Sequence, residues 1–158
     1  MTIDFSVFKD ALPYRGFTEQ DWTVLSGLLQ EIQVKAGANV FKENEKGNGF
    51  YWVRSGKVRI SRQLMPEGKK TPQEQLLTLL TAGNIFGEMA LVDRAPRSAD
   101  ANAENDSVLY HLSQSNYEKL QKEYPGTALR IQDVLARTLC TRIRAANRSF
   151  EVIYFLCT

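Results

Sequence analysis

From Ala38 to about Leu112 the chain runs in short apolar or alternating stretches punctuated by Gly, Pro and Asn. The runs cover residues 39–42, 49–54, 57–62, 75–80 and 107–112, each the length of one strand. Strands this short, at meander spacing, bury too little singly and must combine into a sandwich or barrel. Ser55-Gly56-Lys57 reads as a tight turn between two of them, and residues 65–72 as a polar loop.

Helical signals flank this region. Thr18 and Asp21 fit a capping box opening a helix, with Trp22, Leu25, Leu28 and Leu29 at helical spacing, and Gly37 marks the change of rhythm. Helix resumes after Ser113, where Ser115 and Glu118 fit a second box, and Pro125-Gly126 breaks it. A longer helix is expected from about Thr127 to Phe150. The 158 residues suit one domain, with residues 1–36 as an N-terminal helical segment, 37–112 as the β-barrel and 113–158 as C-terminal helices. The expected class is mainly β with flanking helices, α+β.

Lys plus Arg number 20 and Asp plus Glu 18, a net charge of +2 that argues against a nonspecific nucleic-acid binder. No run approaches the roughly 18 apolar residues of a membrane span, and the N-terminus lacks the basic and apolar regions of a secretion signal. Cys140 and Cys157 are too few for a disulfide framework, so the expected compartment is the cytoplasm. The single histidine, His111, rules out metal sites that need two or more imidazoles, and its strand-like setting in Val-Leu-Tyr-His-Leu reads as structural. No cofactor is expected.

Chemistry concentrates in the segment Gly83-Asn-Ile-Phe-Gly-Glu-Met-Ala-Leu-Val-Asp-Arg-Ala-Pro-Arg-Ser-Ala99. Phe86-Gly87 ends an apolar strand, and Gly87 permits a sharp turn or close backbone approach. Glu88-Met-Ala-Leu91 favours a short helix whose first amides would face an anion. Arg97 offers a planar fork for phosphate, stiffened by Pro96, and Ser98 adds a hydroxyl. Glu88 beside an anion site makes sense if the ligand carries a compact negative charge at one end and a sugar hydroxyl at the other. The bland alternative is that Glu88 and Arg97 pair with each other in an ordinary turn.

Phe-Gly-Glu-Met-Ala-Leu, four residues, then Pro-Arg-Ser-Ala resembles the phosphate-binding cassette of cyclic-nucleotide-binding domains, here residues 86–99. The likeness extends to Lys35-Ala-Gly37, Phe41 and Gly49-Phe-Tyr-Trp-Val-Arg-Ser-Gly-Lys-Val58, nearly the whole chain. The spacing from Glu88 to Pro96-Arg97 is more like the eukaryotic kinase cassette than the longer bacterial activator form. One departure is Asn44, where many members have Gly. The resemblance implies a double-stranded β-helix, or jelly-roll barrel, with an N-terminal helix and a C-terminal lid helix. It implies that Glu88 binds the ribose 2′-hydroxyl, Arg97 the cyclic phosphate and Ser98 a phosphate oxygen. Amides near Gly87, Met89 and Ala90 complete the anion hole within the cassette from Phe86 to Ala99, while Ile60 and Leu77 line the ribose and base. The family often has Ala for cAMP and Thr for cGMP at the position of Ser98, leaving the base preference open with a slight lean to cAMP.

In the long helix, Ala128, Ile131, Leu135, Leu139, Ala146 and Phe150 form one stripe, and Arg130, Arg137, Arg144 and Arg148 an expected solvated face. Arg142 falls within the apolar stripe and must snorkel, pair with a carboxylate or stack on something flat. Because the family's helix closes over the base, Arg142 is assigned to the purine. The stripe, or the apolar end from Phe150 to Cys157, would dock on the barrel, on an effector protein or on a second copy as a homodimer. The expected function is a stand-alone, non-enzymatic sensor for a 3′,5′-cyclic nucleotide. DNA binding by this chain is not expected, because about ten residues after the helix are too few for a helix-turn-helix. The rival is a structural or protein-interaction module on the same fold that has lost its ligand.

Overall fold

The run Gly49-Phe-Tyr-Trp-Val-Arg-Ser55 is bulky at every position rather than at alternate ones, the mark of a strand covered on both faces. In the computed structural model, which describes residues 3–9 and 11–157 with side chains through residue 148, that is its position. Strands β1 (Gln30–Val34), β8 (Ser107–Ser113), β3 (Gly49–Ser55) and β6 (Ile85–Phe86) form one sheet in that order. The second sheet is ordered β2 (Asn39–Phe41), β7 (Asp100–Ala103), β4 (Lys57–Leu64), β5 (Gln73–Thr81), and every pairing is antiparallel. The result is a jelly-roll-like barrel with flanking helices.

Two apolar clusters follow from the covered sheet. Tyr51, Val53 and Leu109 point between the sheets, where they meet Phe41, Val58, Phe86 and Ala101. Phe50, Trp52, Tyr110 and Leu112 point the other way, onto helices α1 (Ser6–Lys9), α2 (Glu19–Ser26), α4 (Gln114–Glu123) and α5 (Pro125–Cys157). A ring cluster of Phe5, Phe8, Tyr14 and Trp22 seals the N-terminal side, with Trp52 Nε1 donating to the Tyr14 hydroxyl at 2.8 Å.

Several expectations change. The helical reading of residues 1–36 fails at β1, because α2 ends at Ser26 and the chain then pairs with β8 from Gln30↔His111 to Val34↔Ser107. The alternation of Ile32 and Val34 with polar neighbours was a strand signal hidden behind Leu28 and Leu29. The strands are not a simple meander: β4 and β5 form a hairpin, but β3 and β4 lie in different sheets, joined through Gly56 at φ 89°. A Cβ there would stand 2.2 Å from Ser107 Oγ, so a side chain would block the corner. The cap of α4 is Ser113 itself, whose Oγ accepts from the Asn116 amide, while Glu118 accepts from Gln114 instead of completing a box with Ser115.

The capping box of α2 forms as expected, and its aspartate does more than cap. Asp21 accepts from the Thr18 amide and hydroxyl at 2.7 Å each, and also from Thr127 Oγ1 at 2.6 Å and Arg130 Nη1 at 3.4 Å. Arg130 also donates to the Gly16 carbonyl at 2.9 Å, so it docks α5 on the N-terminal segment instead of joining a solvated face. Of its expected companions, Arg137 pairs with Asp133, and Arg144 and Arg148 are exposed. Burial alone would raise the Asp21 carboxyl, but the donors from Thr127 and Thr18, with Arg130, hold it below the usual carboxylate value. Its contribution is therefore present above that usual value and is lost as pH falls through the depressed one. Asp21→Ala opens the capping box on Thr18 and leaves the buried Thr127 hydroxyl without its acceptor, and is expected to cost about 2 kcal/mol in urea denaturation at neutral pH.

Candidate functional site

Ile85 and Phe86 pair with Trp52 and Tyr51, which brings the end of β6 to the mouth of the barrel. Gly87 then turns at φ 75°, and α3 (Met89–Val92) begins. The Leu91 and Val92 amides both turn onto the Glu88 carbonyl, leaving Met89 and Ala90 as first-turn amides without an acceptor inside the helix. The chain returns through Arg94, at φ 57°, to Arg97, whose amide donates to Glu45 O at 2.8 Å while its carbonyl accepts from Asn44 N at 2.9 Å. Asn44 takes φ 68°, the left-handed conformation that Gly would adopt and that Asn tolerates best among other residues. Its departure from the cassette pattern therefore keeps the turn.

Arg97 is only 3% exposed. Nη1 donates to Gly49 O at 2.9 Å and Gly87 O at 2.6 Å, Nη2 donates to Asn48 Oδ1 at 3.1 Å, and Cζ lies 4.2 Å from the Phe41 ring centre. These bonds engage three of its five N–H donors. The buried Nε has no hydrogen-bond partner among the described residues. Burial presses its pKa down, partly offset by Tyr51, Glu45 and Glu88.

Glu88 is wholly buried, at 0% exposure. Oε1 accepts from Arg142 Nη1, while Oε2 is buried without a partner among the described residues. Arg142 Nη2 reaches back to the Ile85 carbonyl at 2.5 Å. Of the fates open to an arginine in the apolar stripe, the structure shows the carboxylate pairing, and Glu88 takes Arg142 rather than Arg97 as its partner. Ala128, Ile131 and Leu135 of the stripe are buried, so the first half of α5 belongs to the helical core and its second half reaches over the site. Phe150 and the apolar end to Cys157 lie outside the residues whose side chains are described.

Both charges open on one cavity of about 650 Å³. The cassette residues Phe86, Gly87, Glu88, Met89, Ala90, Arg97, Ser98 and Ala99 line it, as do Ile60, Leu77 and Arg142, so every residue expected at the site is brought together. Ser98 Oγ contacts Met89 Sδ at 3.6 Å. Sequence reading missed Phe41 beneath the guanidinium, Gln75, Leu76 and Thr78 on β5, and Ala145 and Ala146 on the lid. It also missed Asn48, which touches Arg97 but carries no pattern that marks it. Among the described residues no group of three or more His, Cys, Asp or Glu could hold a metal, and no helix is long and apolar enough to cross a membrane.

The site is thus a jelly-roll-like barrel whose cassette sets a buried arginine and a buried glutamate on one cavity. The chain belongs to the cyclic nucleotide-binding domain family, whose model matches residues 31–124. It is 31% identical over 142 residues to the cyclic AMP receptor protein of Thermus thermophilus, covering 90% of this chain and 62% of that protein. It is 30% identical over 112 residues to the cAMP-dependent protein kinase regulatory subunit of Debaryomyces hansenii, covering 71% of this chain and 23% of that one. The crystal structure of the Thermus thermophilus catabolite activator protein superposes with a TM-score of 0.74 at 30% identity, covering 92% of this chain and 64% of that chain. This chain therefore spans less than two thirds of each of these longer proteins.

The close fit of Gly87 gives a test of the site's construction. A Cβ there would stand 2.6 Å from Arg97 Nη1 and 3.2 Å from Phe41, in a backbone conformation that side chains avoid. Gly87→Ala is expected to lower stability by about 1–2 kcal/mol in urea denaturation and to displace the guanidinium.

Proposed function

We propose that this chain is a sensor module that binds a 3′,5′-cyclic nucleotide, with cAMP slightly preferred over cGMP, and signals by moving α5. The observation that carries the reading is one cavity lined by two buried, unlike charges, each with an atom that has no hydrogen-bond partner among the described residues: Nε of Arg97 and Oε2 of Glu88. A ring phosphate carries one negative charge and suits the guanidinium. The ribose hydroxyl donates to the carboxylate. Ser98 takes a phosphate oxygen, the amides of Gly87, Met89 and Ala90 face the anion, and Ile60 and Leu77 flank the sugar and base, with Phe86 and Ala99 closing the cassette. Arg142 closes over the ligand from the lid.

Ligand at Glu88 acts on the same carboxylate that Arg142 grips, and this supports a signal carried by α5. A ligand moves a helix only by binding its two positions unequally. The module is one domain, works in the cytoplasm, and passes its signal to an effector protein or a second copy through α5. We read it as non-enzymatic: the cavity offers a phosphate clamp and a sugar acceptor, and among the described residues no base is hydrogen-bonded to the Thr78 or Ser98 hydroxyl that lines it.

Titration of the native protein with cAMP and cGMP tests this. Ligand at about 100 times its dissociation constant should add about 2.7 kcal/mol of stability, read as a rise in Tm, and a flat melting curve with both favours a module that has lost its ligand. In calorimetry Arg97→Ala should lose about 2–5 kcal/mol of binding, and Glu88→Gln less, since an amide oxygen still accepts from a hydroxyl. Arg142→Ala is expected to weaken binding too; unchanged affinity would remove Arg142 from the site.

A further inference from the structure

His111 lies beneath the anion end of the cavity and has no part in the reading above. It sits on β8, 7% exposed, with its ring stacked on Tyr51 at 4.6 Å between centres and 23° between planes. Tyr51 in turn lies 5.7 Å from Cζ of Arg97. Gly49 separates imidazole from guanidinium: its carbonyl accepts from Arg97 Nη1, and a Cβ on it would stand 2.8 Å from His111 Nε2. That Nε2 is buried and has no hydrogen-bond partner among the described residues.

The groups around the ring settle which charge it feels. From β3 comes Tyr51, a phenol that burial keeps neutral. From β1 the register partner is Gln30, which carries no charge. Arg97 is the charged side chain that acts on it, and Glu45 and Glu88 act on Arg97. Burial and the Arg97 charge hold the imidazole below the ordinary histidine value, against a smaller pull from the Asn48 backbone.

We propose that His111 is a positioning residue that couples proton uptake to filling of the anion site, through the Tyr51 ring and the Gly49 backbone that lie between its imidazole and the Arg97 guanidinium. An anion on Arg97 offsets the guanidinium's share of the depression and leaves that of burial. This rests on the reading of the cavity as a cyclic-nucleotide site. The free protein then titrates at lower pH than the ligated one, so the ligated form holds more protons between the two midpoints. Affinity rises as pH falls through that window and is flat above it. A cyclic phosphodiester keeps its single charge throughout, so the linkage belongs to the protein.

The chain has one histidine, so its imidazole NMR signal needs no assignment by mutation. Its midpoint is measured in the free protein, in protein saturated with cAMP, and in ligand-free Arg97→Ala. Both changes should raise the midpoint, and a rise of one unit makes binding up to about tenfold tighter at acid pH. Calorimetry should accordingly give tighter cAMP binding at a pH below the free protein's measured imidazole midpoint than at about 7.5 in the native protein, with no such difference in His111→Gln. A midpoint moved by neither ligand nor Arg97→Ala overturns the proposal even where cAMP binds. If cAMP gives no binding heat at either pH, the cavity reading falls and takes the ligand linkage with it, while the Arg97→Ala midpoint still decides whether the guanidinium governs the imidazole.

Discussion

A guanidinium stripped of water needs acceptors on the protein, and here the backbone supplies them. Gly49 and Gly87 lend their carbonyls to Arg97, and each is a glycine because the chain passes too close for a side chain. At Gly49 an added Cβ would stand 2.1 Å from Leu112 O, and at Gly87 it would meet the guanidinium itself. Burying such a charge without partners would cost several kcal/mol, so these carbonyls, Asn48 and the Phe41 ring are conditions for the fold as much as for the site. They also fix the direction in which the remaining donors point. The exchange of hydrogen bonds with Asn44 and Glu45 locks the return strand of the cassette to the loop before β3. The cassette is thus held near both ends by backbone, at Phe86 and at Arg97, and its two ends are tied together by the Arg97 side chain on Gly87.

The long helix α5 is gripped at two places by carboxylates from other parts of the fold. Near its start Asp21 takes Thr127 and Arg130; more than three turns on, Glu88 takes Arg142. Between these points lies a buried stripe of Ile131, Val134 and Leu135, and just past the second come small residues, Ala145 and Ala146, over the cavity. The first grip joins a buried carboxylate to a buried threonine hydroxyl and to a more exposed arginine. The second has an arginine that is one third exposed on the side chain, against a carboxylate that is fully buried. Any group that bids for Glu88 therefore acts on the attachment that stands at the cavity.

Much of this was legible because its causes are local. The Thr18–Asp21 box, the Phe86-Gly87 turn and the charged positions of the cassette depend on residues a few places apart, and sequence spacing records such relations. What was not legible depends on partners far along the chain. Strand β7 is Asp-Ala-Asn-Ala, poor strand formers, and becomes a strand because β2 and β4 pair with it on both sides. Strand β1 was hidden by the helix before it and is fixed by β8, some eighty residues later in the sequence. Asn48 acts through Arg97, about fifty positions away, and no residue type there announces the contact. His111 was read as an ordinary core histidine, and nothing nearby in sequence places it under the guanidinium.

The separation of Glu88 and Arg97 is itself informative about what the cavity can accept. Two unlike charges buried near one another would ordinarily close into an ion pair, the cheapest arrangement in a medium of low dielectric. Here the carbonyls of Gly49 and Gly87 hold one charge and Arg142 holds the other, so the two stay apart on the cavity wall. A bare anion drawn to Arg97 meets the field of Glu88, and a bare cation drawn to Glu88 meets that of Arg97. A ligand that is negative at one end and a hydrogen-bond donor at the other satisfies both walls at once. Selectivity of that kind comes from the repulsion each charge offers to the wrong ligand as much as from the attraction it offers to the right one.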